Sequence, residues 1–138
     1  MSGVVTLVMP AKTEYLILAR LALAGIARGT TIPEQILADL KLAVTEACGN
    51  SVRHAYPSNP GLVRVRYEVT DTAIEILVED EGAGSEASLW TEPREGEQPA
   101  EGGMGLAIIR AIVDELEIEP RNGATGTVVR MRKRLSAD

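Results

Sequence analysis

Two stretches, LVRVRYEVT at 62–70 and AIEILVED at 73–80, alternate apolar and polar residues with period two, and the Thr70-Asp71-Thr72 junction is short enough for a hairpin. A pair of strands patterned this way has one face to bury and one to leave wet. The rest of the chain must therefore supply a cover for a single sheet face.

The flanking segments supply it. Apolar residues Leu16, Ala19, Leu23 and Ile26 recur at three and four, predicting a helix from Lys12 to about Arg28 that stops at Gly29. TTIPEQ opens a second helix, with Thr31 as expected N-cap and Pro33 in the first turn; it turns Ile36, Leu40, Val44 and Ala47 inward and ends before Pro57. GLAIIRAIVDEL at 105–116 is predicted helical, EIEP at 117–120 a short strand, RNGATG a turn and TVVRMRKR at 127–134 a last strand. VVTLVMP, ending at Pro10, reads as an edge strand. YPSNPG is a turn, and residues 81–104 form a loop. Strands gathered in pairs rather than alternating singly with helices predict an α+β fold: a two-layer sandwich whose mostly antiparallel mixed sheet carries helices on one face, in one domain spanning residues 1–138.

Charge and composition exclude several classes. Fourteen Lys and Arg against 20 Asp and Glu give a formal charge of −6, which opposes a nucleic-acid partner whose affinity comes from neutralising phosphate. The basic run RMRKR alternates with Val129 and Met131 and is expected on the solvent face of a strand. No segment reaches the length of apolar residues a membrane span needs. One cysteine, Cys48, and an N-terminus without a signal pattern point to the cytoplasm.

The candidate chemistry starts in the second helix. In DLKLAVTEACGNSVRHAY, Glu46 and Asn50 stand four apart and project from nearly one azimuth, with about 40° of drift. A carboxylate beside an amide oxygen suits a hard divalent cation such as Mg²⁺, which takes few protein ligands and completes its shell with phosphate and water. The same pair also fits an ordinary polar helix face. His54 and Arg53, at the helix end, suit the macrodipole. In VEDEGAGS, Asp80 is followed by Gly82 and Gly84, a pattern that lets backbone approach a flat ligand while the carboxylate accepts from an exocyclic amine; many strand ends turn through the same residues. In EGGMGLAII, Gly102, Gly103 and Gly105 precede a helix whose first amides can cradle phosphate. No G-K-[ST] follows, so this is not a Walker loop, and the glycines come too late for a dinucleotide fold.

In this order and spacing, Glu46-x₃-Asn50, Asp80-x-Gly82-x-Gly84 and Gly103-x-Gly105-Leu106 resemble the Bergerat ATP-binding fold of histidine kinases and gyrase-type ATPases over nearly the whole chain. Within it, VTEACGNSVRHAY and the closing GTVVRM look most like the anti-sigma factor serine/threonine kinases. The resemblance implies that Asn50 is the Mg²⁺ ligand and Glu46 the base that accepts the proton of an incoming hydroxyl. It implies that Asp80 binds the adenine amine of ATP or ADP with Gly82 and Gly84 close to the base, and that Thr127 lies near adenine. Gly102, Gly103, Met104, Gly105 and Leu106 become the phosphate-facing turn, and residues 86–101 the lid, with Trp90 within it and Arg94 its one cation. His54, inside the nucleotide motif, is a poor phosphoacceptor.

Two functions stay open. One is an ATP-dependent serine/threonine kinase that sequesters a sigma factor and phosphorylates a small anti-anti-sigma (STAS-type) antagonist. The other is a nucleotide-binding interaction module with little phosphoryl transfer; Glu46 favours the kinase. The resemblance also implies a homodimer through the N-terminal strand and first helix, and partner docking on the part of the domain that carries Lys12 and Arg20, both outside the apolar stripe of the first helix.

Overall fold

The computed structural model describes residues 3–55, 61–81, 105–121 and 126–135. Five strands form one sheet: β1 (Gly3–Pro10), β2 (Leu62–Val69), β3 (Ala73–Asp80), β4 (Glu115–Pro120) and β5 (Thr127–Arg134). Their order is β1-β2-β3-β5-β4, and each neighbouring pair is antiparallel. Three helices accompany it, α1 (Leu16–Arg28), α2 (Glu34–Asn50) and α3 (Gly105–Ile112). The α+β sandwich expected from the paired strands is the architecture observed.

Period-two alternation sorts the sheet into two faces. Val63, Val65, Tyr67 and Val69 of β2 are buried, opposite Asp80, Val78, Ile76 and Ile74 of β3, and Val129 and Met131 of β5 continue the same face. All of these but Asp80 form one apolar cluster with Ala19 and Leu23 of α1, Leu40, Val44 and Ala47 of α2, and Ile109 of α3. α2 lies centrally, packed against both α1 and α3. The other face is laced with charge: Arg130 meets Glu75 at 3.6 Å and Glu117 at 3.4 Å, and Arg64 meets Glu79 at 3.9 Å. Arg130, Arg132 and Arg134 of the basic C-terminal run are thus the solvent side of β5, as its alternation predicts, while Lys133 is half-buried and reaches α3.

Three boundaries differ from expectation. Thr31 does not cap α2; Pro33 holds the N-cap position with extended ψ of 143°, and its carbonyl accepts the Leu37 amide at 2.9 Å. Proline is suited there because no donor is needed at that point of a helix. Helix α1 starts at Leu16, after a 3₁₀ turn over Thr13–Tyr15. Helix α3 ends at Ile112 rather than 116, because Glu115 and Leu116 pair with Arg132 and Met131 in β4. The Asp114 amide already donates to the Arg132 carbonyl at 2.9 Å, and Lys133 Nζ donates to the Ile112 carbonyl at 2.8 Å, where a cation suits a helix C-terminus.

A buried polar contact fixes α1 to the sheet. The Tyr67 hydroxyl, reaching up from β2, donates to the Ala19 carbonyl at 2.8 Å. Burial, and then the nearby Cys48, push the Tyr67 phenol above its ordinary value, so it remains a donor. Burial likewise pushes the Cys48 thiol up to about 12. A raised folded-state pKa gives stability that is full below the ordinary values of 9.0 and 10.0 and is lost as pH rises beyond them. Tyr67→Phe should therefore lower unfolding free energy by about 1 kcal/mol at neutral pH and flatten the alkaline loss. Urea melts at several pH values check both; unchanged midpoints at neutral pH would leave the bond without a stabilising role.

Candidate functional site

Helix α2 reaches the site with its last turns. Ala47, Cys48 and Gly49 are buried, Glu46 is half-buried, and Asn50 is only 4% exposed although its side chain is polar. The helix does not simply stop: Ser51–Ala55 form a π turn, with the Ser51 amide shared between the Ala47 and Cys48 carbonyls. The backbone at His54 therefore departs from the line of four that joins Glu46 to Asn50, and the His54 side chain lies outside the described residues. Such one-turn π segments recur at functional sites.

The first residue of α3 closes on this line. A Cβ on Gly105 would stand 2.7 Å from Glu46 Oε2 and 3.6 Å from Asn50 Nδ2. Only glycine lets the start of α3 come so near, and the carboxylate and amide meet the N-terminal end of that helix, where backbone amides are free to donate. Leu106, next in line, is buried. Asn50 Oδ1 accepts from Arg53 Nη2 at 2.7 Å.

A second group of residues forms at the end of the sheet. Asp80, the last residue of β3, is 2% exposed and stands opposite Thr127, 1% exposed, at the start of β5. Gly126, with φ of +115°, precedes Thr127, and its missing Cβ is what allows the Asp80 carbonyl to lie against it. On the other side of the strand, Arg121 Nε donates to Glu79 Oε2 at 2.8 Å and its Nη2 lies 3.7 Å from Glu81 Oε1. One guanidinium thus holds both sequence neighbours of Asp80. The π turn packs against β3, which brings the end of α2 and the Asp80 strand into one region.

The structure therefore brings Glu46, Asn50 and Gly105 together, and separately Asp80 and Thr127. Gly82, Gly84, Gly102, Gly103, Met104 and the segment with Trp90 and Arg94 lie outside the described residues. Arg20 is exposed on α1. Sequence reasoning missed Arg53, Arg121 and Gly126 as parts of the site. Alternation could have shown that Glu79 and Glu81 share the face opposite Asp80, but nothing in it names the arginine that joins them.

Against known proteins, the family pattern of the histidine kinase-like ATPase domain matches residues 9–133. The serine-protein kinase RsbW of Bacillus pumilus (strain SAFR-032) is 34% identical over 140 residues, covering 94% of this chain and 86% of that protein. The chain belongs to the RsbW-type histidine kinase-like ATPases. RsbW of Bacillus subtilis (strain 168) is 33% identical over 138 residues, covering 94% of this chain and 84% of its own length. RsbW of Listeria innocua serovar 6a is 35% identical over 122 residues, covering 83% of this chain and 78% of its own. Among solved structures, the crystal structure of the RsbU and RsbW domains of Rv1364c from Mycobacterium tuberculosis aligns with a TM-score of 0.70 at 21% identity, covering 96% of this chain and 32% of that one, a likeness of fold. An RsbW-type ATPase domain binds ATP, and the family carries the serine/threonine kinase activity that the sequence resemblance implied.

Gly105→Ala tests the approach of α3 to α2. Alanine is the better helix former, and the atom it meets is the far end of the flexible Glu46 side chain, so folding should hold. The Glu46 carboxylate must move, and misplacement by about 1 Å can cost about 10²-fold in rate. The expected outcome is an unchanged or raised melting midpoint with phosphoryl transfer reduced about tenfold or more. Parental transfer in Gly105→Ala would show that the close approach does not set the position of Glu46.

Proposed function

We propose that this chain is an ATP-dependent serine/threonine protein kinase that acts as an anti-sigma factor in the cytoplasm: it sequesters a sigma factor and phosphorylates a small anti-anti-sigma antagonist of STAS type. The observation that carries the reading is the meeting of Glu46 and Asn50 with the glycine that opens α3. Phosphoryl transfer asks a protein mainly for positioning and charge stabilisation, and this seam offers a carboxylate, the side-chain amide of Asn50 and a helix N-terminus at one place.

Roles follow from the chemistry of each group. Glu46 accepts the proton of the attacking hydroxyl, Asp80 accepts from the adenine amine at the closed end of the sheet, and Thr127 lies beside the same base. At the start of α3, Gly105 would give the phosphates backbone access. The donor set fits Mg²⁺: Asn50 and Glu46 carry hard oxygen groups, and the missing Cβ of Gly105 spares them a side chain at the start of α3. When bound, Mg²⁺ supplies charge neutralisation across the phosphate oxygens. Asn50 would hold it.

Incubation with γ-labelled ATP, Mg²⁺ and the antagonist is the direct experiment. Glu46→Gln should lower label transfer by about 10²–10⁴-fold while ATP affinity stays within a few-fold. Asp80→Asn should weaken ATP and ADP alike by about tenfold or more, since a charge-assisted bond to the base is lost. Parental transfer by the Glu46 variant would end its assignment as base. Tight nucleotide binding with no transfer to any antagonist would leave the nucleotide-regulated interaction module.

Partner surfaces follow from exposure. On α1, Ile17 and Leu21, four apart, are 53% and 56% exposed, and the exposed Arg20 stands three residues after Ile17, an apolar pair beside one cation. On a chain of charge −6, that patch is where an acidic partner can land. At the sheet edges, β4 carries Glu115, Glu117, Glu119 and Pro120, all exposed, which discourage further pairing. β1 has no charged residue and exposes Val4, Val5 and Val8, so a second copy is the natural cover. Light scattering at micromolar concentration should give the mass of two chains, and Val8→Lys should reduce it to one. Arg20→Glu should stay dimeric, keep ATP affinity and lose capture of the sigma factor or antagonist by calorimetry. A one-chain mass for the parent, or unchanged capture by Arg20→Glu, would remove the corresponding surface.

A further inference from the structure

The amide oxygen of Asn50 already has a cationic occupant. Gly49 has no side chain, so the Arg53 guanidinium lies back over the end of α2. A Cβ at Gly49 would stand 3.1 Å from Nη1, 3.5 Å from Nη2 and 3.6 Å from Cζ. From that position Nη2 donates to Asn50 Oδ1 at 2.7 Å, a short, charge-assisted bond. The two partners differ in burial: Asn50 is 4% exposed, while Arg53 is an exposed residue with solvent to return to. The guanidinium thus satisfies a buried oxygen that would otherwise lack its counterpart, and it can leave.

We infer that Arg53 is a built-in stand-in for the divalent cation at Asn50, and that its displacement sets how much free Mg²⁺ the protein needs to bind nucleotide. The inference rests on the reading of Asn50 as the cation ligand. A guanidinium and a divalent ion on one amide oxygen would face each other across a few ångströms with like charge and compete for the same lone pairs, so they exclude one another. Without the ion, Arg53 keeps the amide oriented and the oxygen paired. On loading, that bond must break, and its strength is subtracted from the affinity for the metal–nucleotide pair. Losing one charge-assisted bond corresponds to a factor of about ten or more in an equilibrium.

Two variants test this from different residues. Arg53→Met removes donor and charge while keeping a long apolar stem. Gly49→Ala keeps the arginine but places a methyl where the guanidinium lies, forcing it aside by a few tenths of an ångström, and alanine favours the helix. The full chain is titrated with MgCl₂ at constant ionic strength in the presence of a fluorescent ATP analogue, with a parallel series in EDTA. The Mg²⁺ concentration at half-saturation should fall about tenfold for Arg53→Met and in the same direction, by less, for Gly49→Ala, while affinity in EDTA stays within about two-fold. A merely structural role for Arg53 would move both series together and leave their ratio unchanged. Equal Mg²⁺ midpoints in parent and variants, or equal weakening with and without metal, would overturn the inference alone. A parent that binds nucleotide with no response to Mg²⁺ would overturn it together with the assignment of Asn50.

Discussion

The contact between the end of α2 and the first residue of α3 constrains nearly everything else in the site. Two helices that bury a common apolar face ordinarily meet through side chains, and a carboxylate at their seam would be pushed out to water. Here one helix opens on glycine, so Glu46 and Asn50 can stay between them: a Cβ on Gly105 would come within 2.7 Å of the carboxylate. The carboxylate then faces a helix N-terminus, where the backbone dipole favours negative charge. α2 must be central in the helical layer for this to work, and its inward residues Leu40, Val44 and Ala47, with Tyr67 and Ile76 beneath, hold it there.

The sheet serves the site by being one-sided. Its buried face ends in polar rather than apolar residues, Asp80 opposite Thr127, so the core becomes a polar floor at the edge where the helices end. Buried polar groups at the margin of a core need fixed surroundings, and the opposite face supplies them through Arg121, which joins Glu79 and Glu81 across the strand. Most of the remaining ion pairs on that face are exposed and individually weak, about 0–1 kcal/mol each. Their value lies in matching signs along the rungs: Arg132 beside Glu115, Arg130 between Glu75 and Glu117, Arg64 beside Glu79. A basic run in an acidic protein is consumed internally in this way and leaves little cationic surface for phosphate.

What could be read in the sequence was whatever depends on local periodicity. Strands β2, β3 and β5 were legible because alternation admits only one face to the core, and the Glu46–Asn50 pair because a helix fixes what stands four residues on. The end of α3 was not: Val113 to Leu116 fit a helical period as well as a strand, and the choice was made by pairing with β5, which is tertiary. Thr31 looks like a cap in sequence, but the turn before α2 closes on the Pro33 carbonyl instead. The long-range pairings of Tyr67 with Ala19 and of Arg121 with Glu79 have no sequence signal, since each joins residues brought near only by the completed fold. Gly126 was visible as a turn glycine, but its need for positive φ against the Asp80 carbonyl follows from the β3–β5 register.

The π turn after Asn50 shows how local irregularity is tied to this chemistry. A regular helix would have continued through Ser51–Ala55; here the Ser51 amide is shared between two carbonyls, and the buried Ser51 hydroxyl has no hydrogen-bond partner. The unmet hydroxyl costs stability, about 1–3 kcal/mol for a buried polar group without a partner, whereas an amide shared between two carbonyls is ordinary at a helix end. It persists where the turn packs against β3, at the point where the chain passes from the Asn50 end of α2 towards the floor made by Asp80. A straight helix would spare that cost, but the turn that carries Arg53 and packs on β3 would have to follow a different path. The local defect and the placement of the site's polar groups are therefore two consequences of one backbone change, made immediately after the residue on which both depend.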